Sequence, residues 1–500
     1  MSKLGIIDIG SNSMRVFIVK LCEDKYYEVV DELKSTVRLG KDMTTDSCLS
    51  ETRIEMAMEA LSKFKRLCDS NEVSEIIAVA TEAVRKASNQ REFLERVKNS
   101  FGIDIRVLTG DEEAYHDYLG AINSIDVNSA LLMDIGGSST EFIMVKDREI
   151  QNSISIPMGA ITLTDKFLSF SGSIDKRLKE MNKFLNDTFK SIVWLKNAKG
   201  MPIVGIGGSF RTMAKVHRNK YDYPINNLHN YRMSSKQIID IYDLLKYREI
   251  SQYKKVKGIS KERADIFLGA MISIIAIIKY CKSKKVIISQ NGIRQGVLYR
   301  KLINDYPIII KDILNFSLNN IINKFSLNKI HVEQVWKMCN KLSQPLLNNT
   351  DFKEENSRIL KTACYLHDCG RFVGFDNSEK YSFSIMRDLR INGLTHREQI
   401  MAAFTVLNFE EDKIKNSSYF ESMITYEDIL TVQKMSAVLH VARGLDRAMD
   451  NNILDITINV EGEDIILKLV SEQKPSIEIN SIENYRDTFE KAFGRRLIIE

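Results

Sequence analysis

Proline and tryptophan are scarce in this chain: six and two among 500 residues. So few prolines leave no proline-rich linker, and domain joints must be read from changes of residue pattern. The seven cysteines, at 22, 48, 68, 281, 339, 364 and 369, form no CxxC pair and are odd in number. That speaks against a disulfide framework and for reduced, mostly buried thiols in a reducing compartment. No apolar run reaches the roughly 20 residues of a membrane-spanning helix; the longest, IFLGAMISIIAII at 266–278, is too short. Neither sign of charge dominates. A net charge of +5 permits a polyanionic partner without requiring one, and no specific nucleic acid is expected. The opening MSKLGIIDIGSNS runs straight into a strand and a turn. It has no signal-peptide pattern, so a cytoplasmic location with no membrane partner is expected.

What is present is an ordinary globular balance, 44% hydrophobic and 27% charged, on a length that suits two to four domains. Residues 1–125 alternate strand and helix. KLGIIDIG and MRVFIVKLCE read as a hairpin with SNS at its tip. A helix follows with Ile54, Met58, Leu61, Phe64 and Leu67 on one face. SEIIAVAT is a strand, EAVRKASNQREFLERVKNSFG a helix ended by glycine, DIRVLTG a strand and DEEAYHDYLGAINS a helix. At 126 the scheme restarts with SALLMDIGG, STEFIMVKD and EIQNSISIPMG as consecutive strands. The strands MPIVGIGGS and KKVIISQNG come later, among helices, and IRQGVLYRKLI closes the unit near 308. Residues 309–449 are almost wholly helical. Residues 450–500 read as a hairpin (ILDITINVEGEDIILKLVSE), a helix (SIENYRDTFEKAFG) and a last strand (RRLIIE).

One short phrase is written twice: DIGSNSMR from Asp8 and DIGGSSTE from Asp134. A tight glycine turn between strands aims several backbone N–H groups at one point and binds anions, phosphate above all. Gly10, Gly136 and Gly137 permit close approach. Ser11, Ser13, Ser138 and Ser139 add hydroxyl donors, with Asn12 and Arg15 in and beside the first turn. Asp8 and Asp134 end apolar strands, where a carboxylate suits a hydrated divalent cation bridging to phosphate. Two such loops facing each other would grip a phosphate chain from both sides. A third turn, GIGGSFRTMAK, opens a helix after Gly207 and Gly208 at Ser209. It makes an anion-friendly helix start, with Arg211 placed to reach a phosphate or a guanosine phosphate. It reads equally well as a packing turn that needs small residues.

Taken together, DIGSNSMR, ATEAVRKA, TGDEEAYHDYLGA, DIGGSSTE, GIGGSFRTMAK, RADIFLGA and NGIRQGVL occur in the order and spacing of the exopolyphosphatase/guanosine pentaphosphate phosphohydrolase (Ppx/GppA) family. The chain resembles that family over essentially its whole length. The resemblance implies duplicated α/β ribonuclease-H-like domains of the actin-like ATPase superfold, at 1–125 and 126–308, with the active site in the cleft between them. An α-helical HD-like domain (309–449) and a small α+β C-terminal subdomain (450–500) would follow. It also implies Glu113 as the catalytic carboxylate and Arg85 as a contact to the phosphate chain. Asp134 and Glu141, with Asp8, would be the acids of a Mg²⁺ (or other divalent) site. Gly10–Ser13 and Gly136–Ser139 would be the phosphate loops. Read on their own, Glu113 fits a first helical turn, where the helix dipole favours glutamate. Arg85 fits a surface helix, and Glu141 a solvent-facing strand position.

In the helical part, HVEQVW (His331) and LHDCG (His367, Asp368) resemble the HD pattern of metal phosphohydrolases. Arg443 stands where a closing aspartate is expected in HVARGLDRA, and a later histidine near YSFSIM is missing. With ligands replaced, a working second metal site is not expected. An arm that caps the cleft or mediates a homodimer is. The expected function is release of terminal orthophosphate from inorganic polyphosphate by metal-assisted attack of water. The close alternative is hydrolysis of the 5′-phosphate of guanosine pentaphosphate (pppGpp). A non-catalytic sensor of guanosine tetraphosphate or polyphosphate, and a small-molecule kinase of the same superfold, are the readings from other classes. The glutamate of DEEA argues against the kinase, and the intact acids argue against the sensor.

Overall fold

The structure, a computed structural model, describes residues 2–22, 26–43, 47–169, 173–303, 309–347, 354–407, 420 and 422–500. The chain separates into two compact units, Met1–Tyr223 with Leu228–Ile313 and Leu314–Glu500 with Pro224–Asn227. The expected boundary at 308 lies outside the described residues.

The first unit holds two sheets. One contains β1 (Lys3–Ile9), β2 (Met14–Leu21), β3 (Tyr27–Ser35), β4 (Glu75–Ala80) and β5 (Ile105–Val107), in the order β3-β2-β1-β4-β5. The other contains β6 (Ala130–Ile135), β7 (Thr140–Lys146), β8 (Glu149–Ile156), β9 (Ile203–Ile206), β10 (Arg232–Ser234) and β11 (Lys285–Ile288), in the order β10-β11-β9-β6-β7-β8. In each, three antiparallel strands are followed by two parallel ones laid beside the first. The second sheet adds β10 at its edge. The doubled motif is therefore the visible trace of a doubled topology, the arrangement expected of paired ribonuclease-H-like halves. Sequence reading left out β3 because Val29, Val30 and Leu33 are exposed on this edge strand and blur its alternation.

Both first strands are buried on two faces, which explains their unbroken apolar runs. Successive side chains point to opposite faces. Ile7 and Ile9 enter one core with the helix Glu51–Ser70, while Leu4 and Ile6 meet Val297 and Leu298. The latter two belong to the helix Ile293–Leu302, which follows the second sheet in sequence. Reciprocally, Ala130 and Leu132 pack with Ala114, Tyr118, Leu119 and Ile122 of the helix Gly110–Ile122, which precedes that sheet. Each sheet is thus covered by a helix from the other half of the duplication. The two helices cross in close contact. A Cβ at Gly120 would lie 2.4 Å from the carbonyl oxygen of Gly292, and one at Gly296 only 1.9 Å from that of His116.

The run at 266–278 lies within the helix Phe267–Tyr280, buried at every position from Phe267 to Ile278. No helix among the described residues is long and apolar enough to cross a membrane. Two expected helices are interrupted. The stretch from 82 divides into Glu82–Arg85 and Gln90–Phe101, because Asn89 turns away to bond the main chain of Leu49 in both directions. The last helix divides into Ser476–Glu483 and Arg486–Phe493.

In the second unit the helices Lys329–Leu347, Glu354–Leu366, His396–Val406 and Tyr426–Leu445 pack together. The C-terminal sheet sets β12 (Ile453–Glu461) antiparallel to β13 (Asp464–Ser471). The final strand β14 (Arg496–Ile499) is parallel to β13.

The helix crossing makes the first prediction. Gly296→Ala forces a methyl group into a peptide carbonyl, so the helices must part. Urea unfolding is expected to show a loss of about 1–3 kcal/mol, the usual cost of overpacking. Asp111→Gly, exposed in the first turn of the helix that carries Gly120, is expected to cost no more than about 1 kcal/mol of helix propensity.

Candidate active site

The two DIG turns are built alike. In the first, the Gly10 N–H donates to the Ser13 carbonyl at 3.3 Å; in the second, the Gly136 N–H donates to Ser139 at 3.0 Å. The turns abut, since a Cβ at Gly137 would lie 3.1 Å from Ser11 Cβ and 3.4 Å from the Asn12 nitrogen. The flanking registers also correspond, Asp8 opposite Arg15 and Asp134 opposite Glu141. One half therefore carries a cation where the other carries an acid.

A cavity of about 130 Å³ opens between the turns. Among the expected residues, Asp8, Gly10, Ser11, Asn12, Ser13, Arg15, Glu113, Asp134, Gly136, Gly137, Ser139, Gly207, Gly208 and Arg211 line it. Arg85, Ser138, Glu141 and Ser209 do not. Ser138 faces Gly40, and Ser209 is buried in the helix Gly207–Lys220. Glu141 is buried behind Asp134, where it accepts a hydrogen bond from Ser155 Oγ at 2.7 Å.

Glu113 does not cap its helix. That role falls to Thr109 and Glu112, which satisfy each other's backbone N–H at 3.0 and 3.2 Å. This frees Glu113 to turn inward. Its Oε2 accepts from Arg85 at 3.0 Å, and Arg85 is itself anchored on the Leu108 carbonyl at 2.6 Å and on Glu82. Arg85 therefore fixes the carboxylate rather than lining the cavity. Burial pushes the Glu113 carboxyl up to about 8, against the pull of Arg85. Burial also raises Asp8, with Arg294, Arg15 and Arg211 opposing, and lifts Asp134 to about 6.

Sequence reading missed Asp117. It lies one helical turn beyond Glu113, on the same face, fully buried, and its carboxyl oxygens meet no donor other than the neighbouring carboxyl of Asp134. Burial, then Asp134, Glu141, Glu113 and Asp8, hold it well above the carboxylate range. Spacing alone offered the signal. So many acids without matching donors form a set that a divalent cation fits. Asp8 and Asp134 open to the cavity, and Glu141 and Asp117 stand behind.

The lining is also basic. Arg211 is joined by Arg263 and Arg294, the arginines of RADIFLGA and NGIRQGVL, to which sequence reading gave no role. Burial, then mutual repulsion among Arg15, Arg294 and Arg263, lowers Arg211 to about 9. Arg263 falls to about 10 for the same reasons, and Arg15 is lowered too. Glu32 holds Arg15 at 3.1 Å and Arg294 at 2.8 Å. Gly207 sits at φ +83°, and a Cβ there would meet Asp134 Oδ1 at 2.2 Å. Only glycine lets the helix start this close to the acid.

Residues 18–305 match the Ppx/GppA phosphatase family, and residues 313–483 match Ppx/GppA phosphatase domain III. The chain belongs to the Ppx/GppA phosphatase family. A curated relative, a bifunctional 3-dehydroquinate synthase/phosphatase of Fusobacterium nucleatum subsp. nucleatum, is 29% identical over 306 residues, 58% of this chain. The chain spans 45% of that relative's length. A solved Ppx/GppA family member from Aquifex aeolicus is 29% identical with a TM-score of 0.53, over 61% of this chain and 99% of that one. An exopolyphosphatase from Cytophaga hutchinsonii is 26% identical with a TM-score of 0.57, over 60% and 98% respectively. These Ppx/GppA structures cover about as much of the chain as its two-sheet unit contains.

Asp117 provides a pH test. A carboxyl raised on folding binds more protons folded than unfolded, so stability falls as pH rises above the unfolded value of about 3.9. Asp117→Asn is therefore expected to gain stability over the parent by up to about 1.4 kcal/mol per pH unit, until the folded carboxyl ionises. The measurement is urea unfolding of the chelator-treated protein from acid to neutral pH. A saturating divalent cation is expected to erase the gain.

Proposed function

We propose that the protein is an exopolyphosphatase, releasing orthophosphate from the end of inorganic polyphosphate. One observation carries this reading. A single cavity sets four mutually repelling arginines and two backbone nests against buried carboxylates that include a clamped glutamate. Arg15, Arg211, Arg263 and Arg294 outnumber Glu32, the carboxylate that Arg15 and Arg294 share, and the nests suit phosphate oxygens. Among the described residues no aromatic side chain lines the cavity to stack a base, which favours a bare phosphate chain over a nucleotide.

In the reaction a water oxygen bonds to the terminal phosphorus and the bridging P–O bond breaks. Glu113 takes the proton from the water, its orientation held by Arg85. The arginines and the remaining amides of the two turns, those of Gly10 and Gly136 being taken up by the Ser13 and Ser139 carbonyls, stabilise the charge on the terminal phosphoryl oxygens. The shortened chain leaves as the second product. Magnesium, for which Asp134, Asp8 and Glu141 with Asp117 are the fitting acids, supplies positive charge against the phosphate oxygens when bound.

Glu113→Gln keeps size and hydrogen bonding but removes the basic oxygen. It is expected to lower turnover by about 10²–10⁴-fold while binding polyphosphate with near-normal affinity. Asp134→Asn is expected to lose turnover together with the magnesium dependence of binding. Phosphate release from long-chain polyphosphate and from pppGpp, assayed on one preparation, decides the substrate. A higher kcat/KM on pppGpp would reverse the assignment. Full turnover in Glu113→Gln would remove the glutamate from the chemistry.

A further inference from the structure

The helical unit holds a second set of ligating side chains. His331, His367 and Asp368 each present one ligand atom, and the three atoms lie within 4.8 Å of one another. All three residues are buried, His367 completely. His331 stands in the first turn of the helix Lys329–Leu347, and His367 with Asp368 directly follows Glu354–Leu366.

Both imidazoles are oriented through Nδ1. His331 Nδ1 pairs with Asp446 Oδ2 at 2.6 Å, and His367 Nδ1 with the Cys364 carbonyl at 2.7 Å. Such partners fix a ring and its tautomer, leaving Nε2 to bind an ion. Arg443 stands where sequence reading looked for a closing acid. Asp446, in the same HVARGLDRA stretch, supplies a carboxylate instead. His367 Nε2 and Asp368 Oδ1 have no hydrogen-bond partner. Leaving a buried nitrogen and a buried carboxylate oxygen bare carries a desolvation cost. The Asp368 carboxylate lies 3.7 Å from His331 Nε2 through Oδ2 and 3.4 Å from His367 Nε2 through Oδ1. These separations are close to those between ligands of one ion bound at about 2.0–2.2 Å in tetrahedral geometry.

Of the three, His331 lines a cavity of about 200 Å³ together with Arg371, Arg443, Asp446, Arg447 and Tyr485, among others, while His367 and Asp368 stand behind it. Arg371 lies 2.9 Å from Asp368 Oδ2 and Arg443 3.7 Å from Oδ1. Arg443 also holds Glu379 at 2.8 Å, so the three guanidinium groups are balanced by Asp368, Asp446 and Glu379. An added divalent ion leaves a positive excess, which a phosphate group in the cavity offsets. Two imidazoles with one carboxylate select a first-row transition ion over magnesium. We propose that His331, His367 and Asp368 bind one such ion, and that its open positions take a phosphate group held by Arg371, Arg443 and Arg447.

The test uses the full-length chain, stripped by chelator and titrated with Co²⁺ under excess Mg²⁺, which occupies the acid-lined cleft. One equivalent of Co²⁺ with the visible absorption of an imidazole-bound ion is expected, and inorganic phosphate is expected to shift the band. His331→Gln is expected to abolish the band, and Asp446→Asn to weaken binding by about 10–100-fold. Asp134→Asn is expected to keep the band, which places the ion outside the cleft. Absence of the band in the wild-type chain overturns the proposal whether or not the variants fold. So does an unchanged band in folded His331→Gln. A band that phosphate does not move overturns the anion half.

Discussion

Like charges held together in a dry cleft are the constraint on which the first unit turns. Acids and arginines line one small cavity, and each set repels itself. Burial strengthens that repulsion, because the medium no longer screens it. The free protein therefore carries an electrostatic cost that hydrophobic cores elsewhere must offset. A phosphate chain with its cation is the kind of ligand that relieves both sets at once. Stability and function are thus coupled at the same residues, as is common for preorganised sites.

Holding such a cavity open requires a rigid frame, and the exchanged helices provide one. Each sheet needs a helix from the other half of the duplication to cover its inner face. The halves cannot drift far apart without exposing Leu4, Ile6, Val297 and Leu298 on one side and Leu119, Leu132 and Ile143 on the other. The crossing at Gly120, Gly292 and Gly296 brings the backbones into contact. It also sets Glu113 and Asp117, on one of those helices, beside the Gly292 turn. Arg38 adds a second tie, paired with Asp265 at 2.7 and 3.0 Å across the two halves. Packing at the crossing and charge in the cavity are therefore parts of one arrangement.

Much of this was legible in the residues because the chain states it twice. The DIG turns announced paired strands, small residues at the contact and acids at the strand ends, and the turns do meet. The exchange of helices was not legible, since amphipathic spacing reveals that a face is buried but not which sheet buries it. Arg85 illustrates the same limit. Its place in EAVRKA marks the site, yet only the fold shows that its guanidinium holds Glu113. Asp117 was hidden because a lone aspartate inside a helix ordinarily faces water. Arg263 and Arg294 stood in recognised motifs, but their convergence depends on contacts between distant segments. Asp446 escaped notice because the pattern was sought at Arg443.

The Arg85–Glu113 pair also eases a conflict that the cleft imposes on the proposed reaction. A general base must be ionised near neutral pH, yet burial and neighbouring acids drive the Glu113 carboxyl to about 8. Without Arg85 the same forces would hold it higher still, further from the neutral range. A stronger or second cation would lower it until the oxygen was too weak a base. Anchoring the guanidinium on Glu82 and the Leu108 carbonyl divides its charge among several acceptors and keeps it out of the cavity. On the proposed function, the position of this arginine, paired with the carboxylate and outside the cavity lining, lets binding and proton transfer be tuned separately.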